Sequence, residues 1–285
     1  MDPEFFFVRH KQTMNHILQE LRIFYQEMGT SELFRAIRPN VCTKDTKMTS
    51  DRKHPLMKDV NMGCLGVSRA YHRSAFTSSR LVRTPAGQRL ARVLCAAIRK
   101  KYPKFQFNCI QVNRQFPGNY HVDKKNYGPS VGLFVGATGL HGGELYVYNR
   151  KKKQGKLYKT KNKWVPFDGN DPHFTAPYKG ERYSMIFFRT KGVDQVEKEA
   201  KKFLKKLGFP LKKVGTFKPT RVQEDMADGL EYMQAHYPTL YKHYLKLNRG
   251  KGTKWGFTGG KFHGSHTRIG YYRKHKKYLK SKKKK

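Results

Sequence analysis

Acidic residues are scarce in this chain. Of its 285 residues, 20 are Asp or Glu and 60 are Lys or Arg, a formal charge of +40, and no acid lies beyond Glu231. Such a body repels itself in isolation, which disfavours neutral or basic partners and points to a polyanion. Nucleic acid leads, DNA ahead of RNA, and an anionic membrane surface would come second on charge alone. Apolar runs long enough to cross a bilayer are also lacking, so no membrane partner is expected. Cysteine is sparse too: Cys42, Cys64, Cys95 and Cys109 show no C-x-x-C spacing, which excludes a zinc ribbon and a thioredoxin-type motif. Cys95 falls in a helical pattern and Cys109 in a strand pattern, so buried free thiols are expected. That fits a reducing compartment, and a DNA partner would make it the nucleus or another DNA-containing space. The first residues lack the basic-then-apolar layout of a secretory signal. Met1 to Phe5 resembles a vector remnant and is set aside.

What is abundant is aromatic. The chain has 17 Tyr and 19 Phe, which argues against wholesale disorder. Residues 13–28 read as a helix, and 38–60 as a loop. Thr84 suits an N-cap and Pro85 a first helical position; Leu90, Val93, Leu94, Ala97 and Ile98 then recur at helical spacing up to Pro103. Strand patterns follow at 105–116, 130–138, 144–148, 164–167 and 181–190, with Gly142-Gly143 as punctuation. Short strands between turns suggest a sandwich, barrel or jelly roll. Helical spacing returns over 193–207 and 221–247, interrupted near Pro238. The expected fold is α+β, divided into an N-terminal helical segment and loop (1–60), a β core (61–192) and a basic helical extension with a Lys-rich tail (193–285).

Asn119-Tyr120-His121-Val122-Asp123, read with His173 and Arg182-Tyr183-Ser184, carries the chemistry. Residues two apart on a strand share a face, so His121 and Asp123 can ligate one ion. Two histidines and a carboxylate form the facial triad of Fe(II) oxygenases, which leaves positions open for a co-substrate and dioxygen. Arg182 can hold a carboxylate by two parallel hydrogen bonds, with Ser184 on the same strand face. Singly, each of these residues also reads as an ordinary turn, loop or surface residue. Their joint order and strand context favour the metal site.

With Gly142-Gly143-Glu144-Leu145, these motifs resemble the Fe(II)/2-oxoglutarate-dependent dioxygenases over about residues 104–190, extending back to the helix at Thr84. The resemblance implies a double-stranded β-helix (jelly roll) flanked by N-terminal helices. It implies that His121, Asp123 and His173 bind Fe(II), and that Arg182, Ser184 and Asn113 contact 2-oxoglutarate. It further implies decarboxylation to succinate and CO2 with hydroxylation of a C–H bond by dioxygen. The charge points to the nucleic-acid-modifying branches, with TET and base-J thymine hydroxylases as the chemical analogy. The substrate would then be a pyrimidine or its methyl group, in 5-methylcytosine or thymine.

A base in a duplex must leave the stack to reach a buried ion. Tyr120, Tyr127 and Phe174 lie beside the ligands and can stack on it, or serve as core aromatics. Lys124 can meet phosphate or sit in a solvated loop. The stretch 241–285 interleaves Lys and Arg with aromatics, which suits nucleic-acid contact. Two alternatives stand beside this reading: a protein side-chain hydroxylase of the same superfamily, and a non-catalytic basic nucleic-acid-binding protein.

Overall fold

The computed structural model describes residues 3–28, 61–69, 76–116, 118–123, 126–190, 193–212 and 222–248. In chain order the elements are α1 (Pro3–Met28), β1 (Asn61–Arg69), β2 (Phe76–Ser78), α2 (Arg80–Arg83), α3 (Pro85–Lys101), β3 (Cys109–Arg114), β4 (Ser130–Gly136) and β5 (His141–Gly142). They continue with β6 (Leu145–Asn149), β7 (Gln154–Tyr158), β8 (Lys163–Phe167), β9 (His173–Thr175), β10 (Tyr178–Lys179), β11 (Arg182–Phe188), α4 (Lys198–Lys206), α5 (Val222–His236) and α6 (Pro238–Asn248).

Local chemistry explains the helices. Thr84 Oγ1 accepts from Gly87 N at 3.0 Å, and Pro85 opens α3 without wasting a donor. Leu90, Ala91, Leu94, Cys95 and Ile98 form its buried stripe, and Arg99, Lys100 and Lys101 face the negative end of its dipole. The same device starts α2, where Ser79 caps Val82 N at 3.3 Å. α1 begins at Pro3, earlier than its apolar spacing predicts, and includes residues set aside as a remnant. The helix expected over 193–207 is split. Glu197 N bonds Phe76 O at 2.9 Å, so the chain pairs beside β2 before α4 can begin.

The strands form antiparallel sheets. One has six strands in the order β2-β1-β3-β11-β4-β8, one has three in the order β7-β6-β9, and β10 pairs with β5. Alternation along the strands decides what each face buries. Ile110 and Val112, Leu133 and Val135, and Met185 and Phe187 share one core with α1, α3 and α4. The opposite face of the same strands carries Asn113, Arg182, Ser184 and Phe134. In the smaller sheet, Leu145 and Val147 meet Phe134, Val165 and Phe167. Their neighbours Tyr146 and Tyr148 turn outward into a third core with Met226, Met233 and Tyr244 of α5 and α6. The two sheets therefore face each other across an interior that is apolar in part and polar where the candidate residues gather.

The five strands expected from pattern are present: β3, β4 and β11 are shorter than expected, β6 is shifted by one residue, and β8 begins one residue earlier. β1, β7 and β9 carry weaker signals: two glycines in β1, a lysine and glycine in β7, and only three residues in β9. Cys95 and Cys109 are buried free thiols as expected, and Cys64 is half-buried and free. The loop expected at 38–60, Cys42, Lys124 and the tail beyond residue 248 lie outside the described residues.

Candidate metal centre

His121 and His173 face each other across a backbone bridge. His121 N donates to His173 O at 3.0 Å, and His173 N returns the bond to His121 O at 2.9 Å. The pairing sets the ring centroids 4.1 Å apart. Asp123 completes the group: its carboxylate lies 3.7 Å from His121 Nε2 and 4.0 Å from His173 Nε2. One ligand atom from each residue lies within 4.8 Å of the other two. One ion can reach all three.

The hydrogen bonds fix which imidazole nitrogen is free. His121 Nδ1 donates to Asn119 O, and His173 Nδ1 donates to Asp171 O at 2.8 Å. A carbonyl only accepts, so each Nδ1 carries the proton and each Nε2 keeps its lone pair for a metal. Burial pushes His121 down to about 4, with His173 beside it adding to the effect. Burial alone pushes His173 down to about 4. Both are neutral at pH 7, the form that ligates. Burial raises the Asp123 carboxyl, against the pull of His121 and the bond from Asn126 Nδ2 at 3.1 Å. A cation held by the three groups would favour its anion.

The loop 168–171 supports two of the ligands. Gly169 O accepts from Asp123 N at 2.7 Å, and a Cβ at Gly169 would stand 2.8 Å from Asp123 Oδ2. Asp168 Oδ1 accepts from Asn170 N and Nδ2 at 2.9 and 2.8 Å, which folds the loop onto itself. Arg150 fastens it with Nε 3.0 Å from Asp171 and Nη2 3.6 Å from Asp168. Burial raises the Asp171 carboxyl to about 6, with Asp168 adding to it and Arg150 opposing.

Arg182 lies on the facing sheet and is 2% exposed. Its guanidinium carbon lies over the Phe134 ring and over the Tyr178 ring, 5.2 Å from each centroid. Its hydrogen bonds are long: 3.5 Å to Phe116 O and 3.4 Å to Gly143 O. Nε has no partner, and no carboxylate of the described residues lies within 4 Å. Burial lowers its pKa to about 10, so it stays charged at neutral pH. A buried cation with an idle donor is unfavourable until an anion arrives. Gly143 makes the space: its φ is +79°, and a Cβ there would stand 2.9 Å from Arg182 Nε.

Ser184 is two residues from Arg182 on the same strand face and in register with Asn113. Asn113 Nδ2 donates to Ser184 Oγ at 3.0 Å, and Gln111 Nε2 donates to Asn113 Oδ1 at 3.0 Å. The predicted ligands thus converge, and the predicted carboxylate-binding residues gather on the facing wall.

Three predicted substrate contacts fare differently. Phe174 is fully buried, and Tyr120 is 3% exposed with its hydroxyl donating to Met226 O at 3.0 Å. Both belong to the outward core under α5 and α6, so their expected stacking on a base is corrected to core packing. Alternation along β9 is the reason: His173 faces inward and Phe174 outward. Tyr127 is half-buried near the ligands, its backbone tied to Arg189 by bonds of 2.9 and 3.1 Å. Arg150, Asp168, Gly169 and Asp171 were missed. Their signal was two acids just before His173, in a chain with few acids to spend.

No family model matches the chain, and no curated protein matches it. Among solved structures it is similar to NgTET1 in complex with 5mC DNA, at 14% identity and TM-score 0.39, covering 65% of this chain and 76% of that one. It is similar to a prolyl hydroxylase from Trichoplax adhaerens in complex with a hypoxia inducible factor peptide, at 10% identity and TM-score 0.38, covering 62% and 77%. It is also similar to a Pseudomonas putida prolyl-4-hydroxylase, at 16% identity and TM-score 0.33, covering 61% and 87%.

Proposed function

We propose that this chain is an Fe(II)- and 2-oxoglutarate-dependent dioxygenase that hydroxylates a nucleic-acid base, a pyrimidine or its methyl group as in 5-methylcytosine or thymine. One observation carries the chemistry: a neutral His–carboxylate–His cluster with free Nε2 atoms shares an interior with a buried, unpaired arginine. His121, Asp123 and His173 would hold the metal, and Arg182 with Ser184 and Asn113 would hold the far carboxylate of 2-oxoglutarate. Bound iron would supply dioxygen activation, coupled to conversion of 2-oxoglutarate to succinate and CO2 and insertion of one oxygen atom into a substrate C–H bond.

The chain's own groups prepare that step. The carbonyls of Asn119 and Asp171 orient the imidazoles. Phe134, Val147, Val165 and Phe167 keep the surrounding interior dry. Strand order supports a double-stranded β-helix: β3-β11-β4-β8 forms one wall, and β7-β6-β9 joined by the His121 bridge forms the other. In this reading residues 61–192 hold the catalytic core, with helices from 1–60 and 193–285 packed around it.

The substrate class rests on charge. A +40 chain is matched to a polyanion, and a duplex base would have to flip into the interior. DNA is favoured over RNA, in the nucleus or another reducing DNA-containing compartment. The test is succinate formation from 2-oxoglutarate under aerobic Fe(II), with duplex DNA, single-stranded DNA, RNA, a protein extract or no addition. Stimulation by one nucleic acid, lost in His121→Ala/Asp123→Ala, is expected. Stimulation by protein alone would replace the substrate with a side chain.

A further inference from the structure

We infer that the β7 edge is the phosphate-gripping wall of the substrate entrance, with Lys156 over Tyr158 as its inner contact and the Lys151–Lys153 turn as its outer one. The inference rests on the nucleic-acid reading above and gives it a place on the folded body. From Leu145 to Phe167 the chain has seven lysines, Arg150 and no acid. All seven lysines are exposed.

Register places Lys156. It lies opposite Val147, and Val147 lies opposite His173. Directly opposed residues of antiparallel strands share a face, so Lys156 stands on the interior face in the same row as a metal ligand. Two strand spacings separate the Lys156 and His173 backbones, about 10 Å. That is the scale of one nucleotide from base edge to phosphate. Lys156 stays exposed because β7 is the edge of its sheet. Its Nζ lies 5.0 Å from the centre of the Tyr158 ring, which is half-buried beside the interior core. An ammonium over an aromatic face offers a phosphate contact and a stacking surface side by side.

The turn is built to hold its shape. Asn149 Oδ1 accepts from Lys152 N at 2.9 Å, and Lys153 adopts a left-handed φ of 52°. Arg150 is pinned to Asp171 at 3.0 Å, which ties the turn to the loop behind the ligands. Lysines also protect a sheet edge from pairing with another strand. Edge protection needs charge toward solvent; it gives no reason for a lysine on the interior face above a tyrosine.

The test uses the full chain and a short fluorescent single-stranded DNA, with binding read by anisotropy over a salt series. The variant Lys151→Gln/Lys152→Gln/Lys153→Gln/Lys156→Gln is compared with Lys198→Gln/Lys202→Gln/Lys205→Gln/Lys206→Gln on α4, which removes equal charge from exposed positions elsewhere. Each lost phosphate contact lowers the log–log salt slope by about 0.7, so the β7 variant should lose about 3. The α4 variant should lose well under half of that. Equal losses, or none in the β7 variant, would overturn the inference. Succinate release measured on the same samples separates it from the reading beneath it. Wild-type turnover driven by nucleic acid with no slope difference removes the β7 wall alone. A retained slope difference without turnover on any nucleic acid removes the substrate assignment and leaves β7 as a binding surface.

Discussion

The two polar clusters on the facing walls are finished to different degrees. At the candidate metal centre, backbone groups fix every predicted ligand: carbonyls hold both Nδ1 atoms, and Asp123 N is bound to Gly169 O. At the other end, Arg182 has only long bonds, two aromatic faces and an idle Nε. The first cluster is preorganised for its ligand, and neutral imidazoles make that inexpensive. The second is a fixed charge that becomes satisfied when an anion enters. Removing residues should therefore cost ligand binding at both ends, while relief of an unpaired buried charge in the empty protein is expected only at the Arg182 end.

The largest effect is expected at the ligands. Asp123→Ala should abolish measurable Fe(II) or Mn(II) binding and all turnover, with the melting temperature of the metal-free chain nearly unchanged; retained metal content would take Asp123 out of the site. Arg182→Met comes next. It should weaken 2-oxoglutarate by roughly 2–5 kcal/mol, the range for truncating one partner of a buried charge pair. It should leave the ligand-free chain as stable as wild type or more so, since an unpaired buried charge is removed. A large fall in its melting temperature would mean that Arg182 serves the fold.

Arg150→Met should loosen the metal about 10- to 100-fold, as losses behind a ligand do. Arg150→Lys should recover part of this, and an unchanged metal titration would detach the loop from the site. A smaller effect concerns pH. His121 and His173 titrate at about 4 when folded, against 6.5 ordinarily. Below pH 6.5 the unfolded chain takes up these protons first, so the metal-free protein should lose stability as pH falls from 6.5 toward 4. Replacing both histidines with Gln should flatten that segment of the curve. The smallest effect is expected from Tyr120→Phe: about 1 kcal/mol of stability from the lost hydroxyl bond, and no change in substrate KM. A raised KM would return Tyr120 to the substrate site.

Much of this arrangement was legible in the chain. Thr84-Pro85 and the apolar spacing after it marked α3, and His-x-Asp with a later His and Arg-x-Ser marked the residues that gather in the candidate site, because each depends on local order. Strand alternation was legible in principle, yet the sidedness of Phe174 was not. A sheet with both faces covered shows no polar side, and the helices that cover Phe174 lie far along the chain. Arg150 was hidden for a similar reason. It sits in a lysine run that reads as solvated charge, and only the pairing of β6 with β7 and β9 brings it to Asp171. The idle Nε of Arg182 is a property of the folded surroundings alone.

The most direct test of the account is calorimetric titration of 2-oxoglutarate into the chain loaded with redox-silent Mn(II), into the metal-free chain, and into Mn(II)-loaded Arg182→Met. A site in which metal and arginine hold opposite ends of one molecule predicts strong binding in the first and sharply weakened binding in the other two. Equal affinity in all three would contradict it.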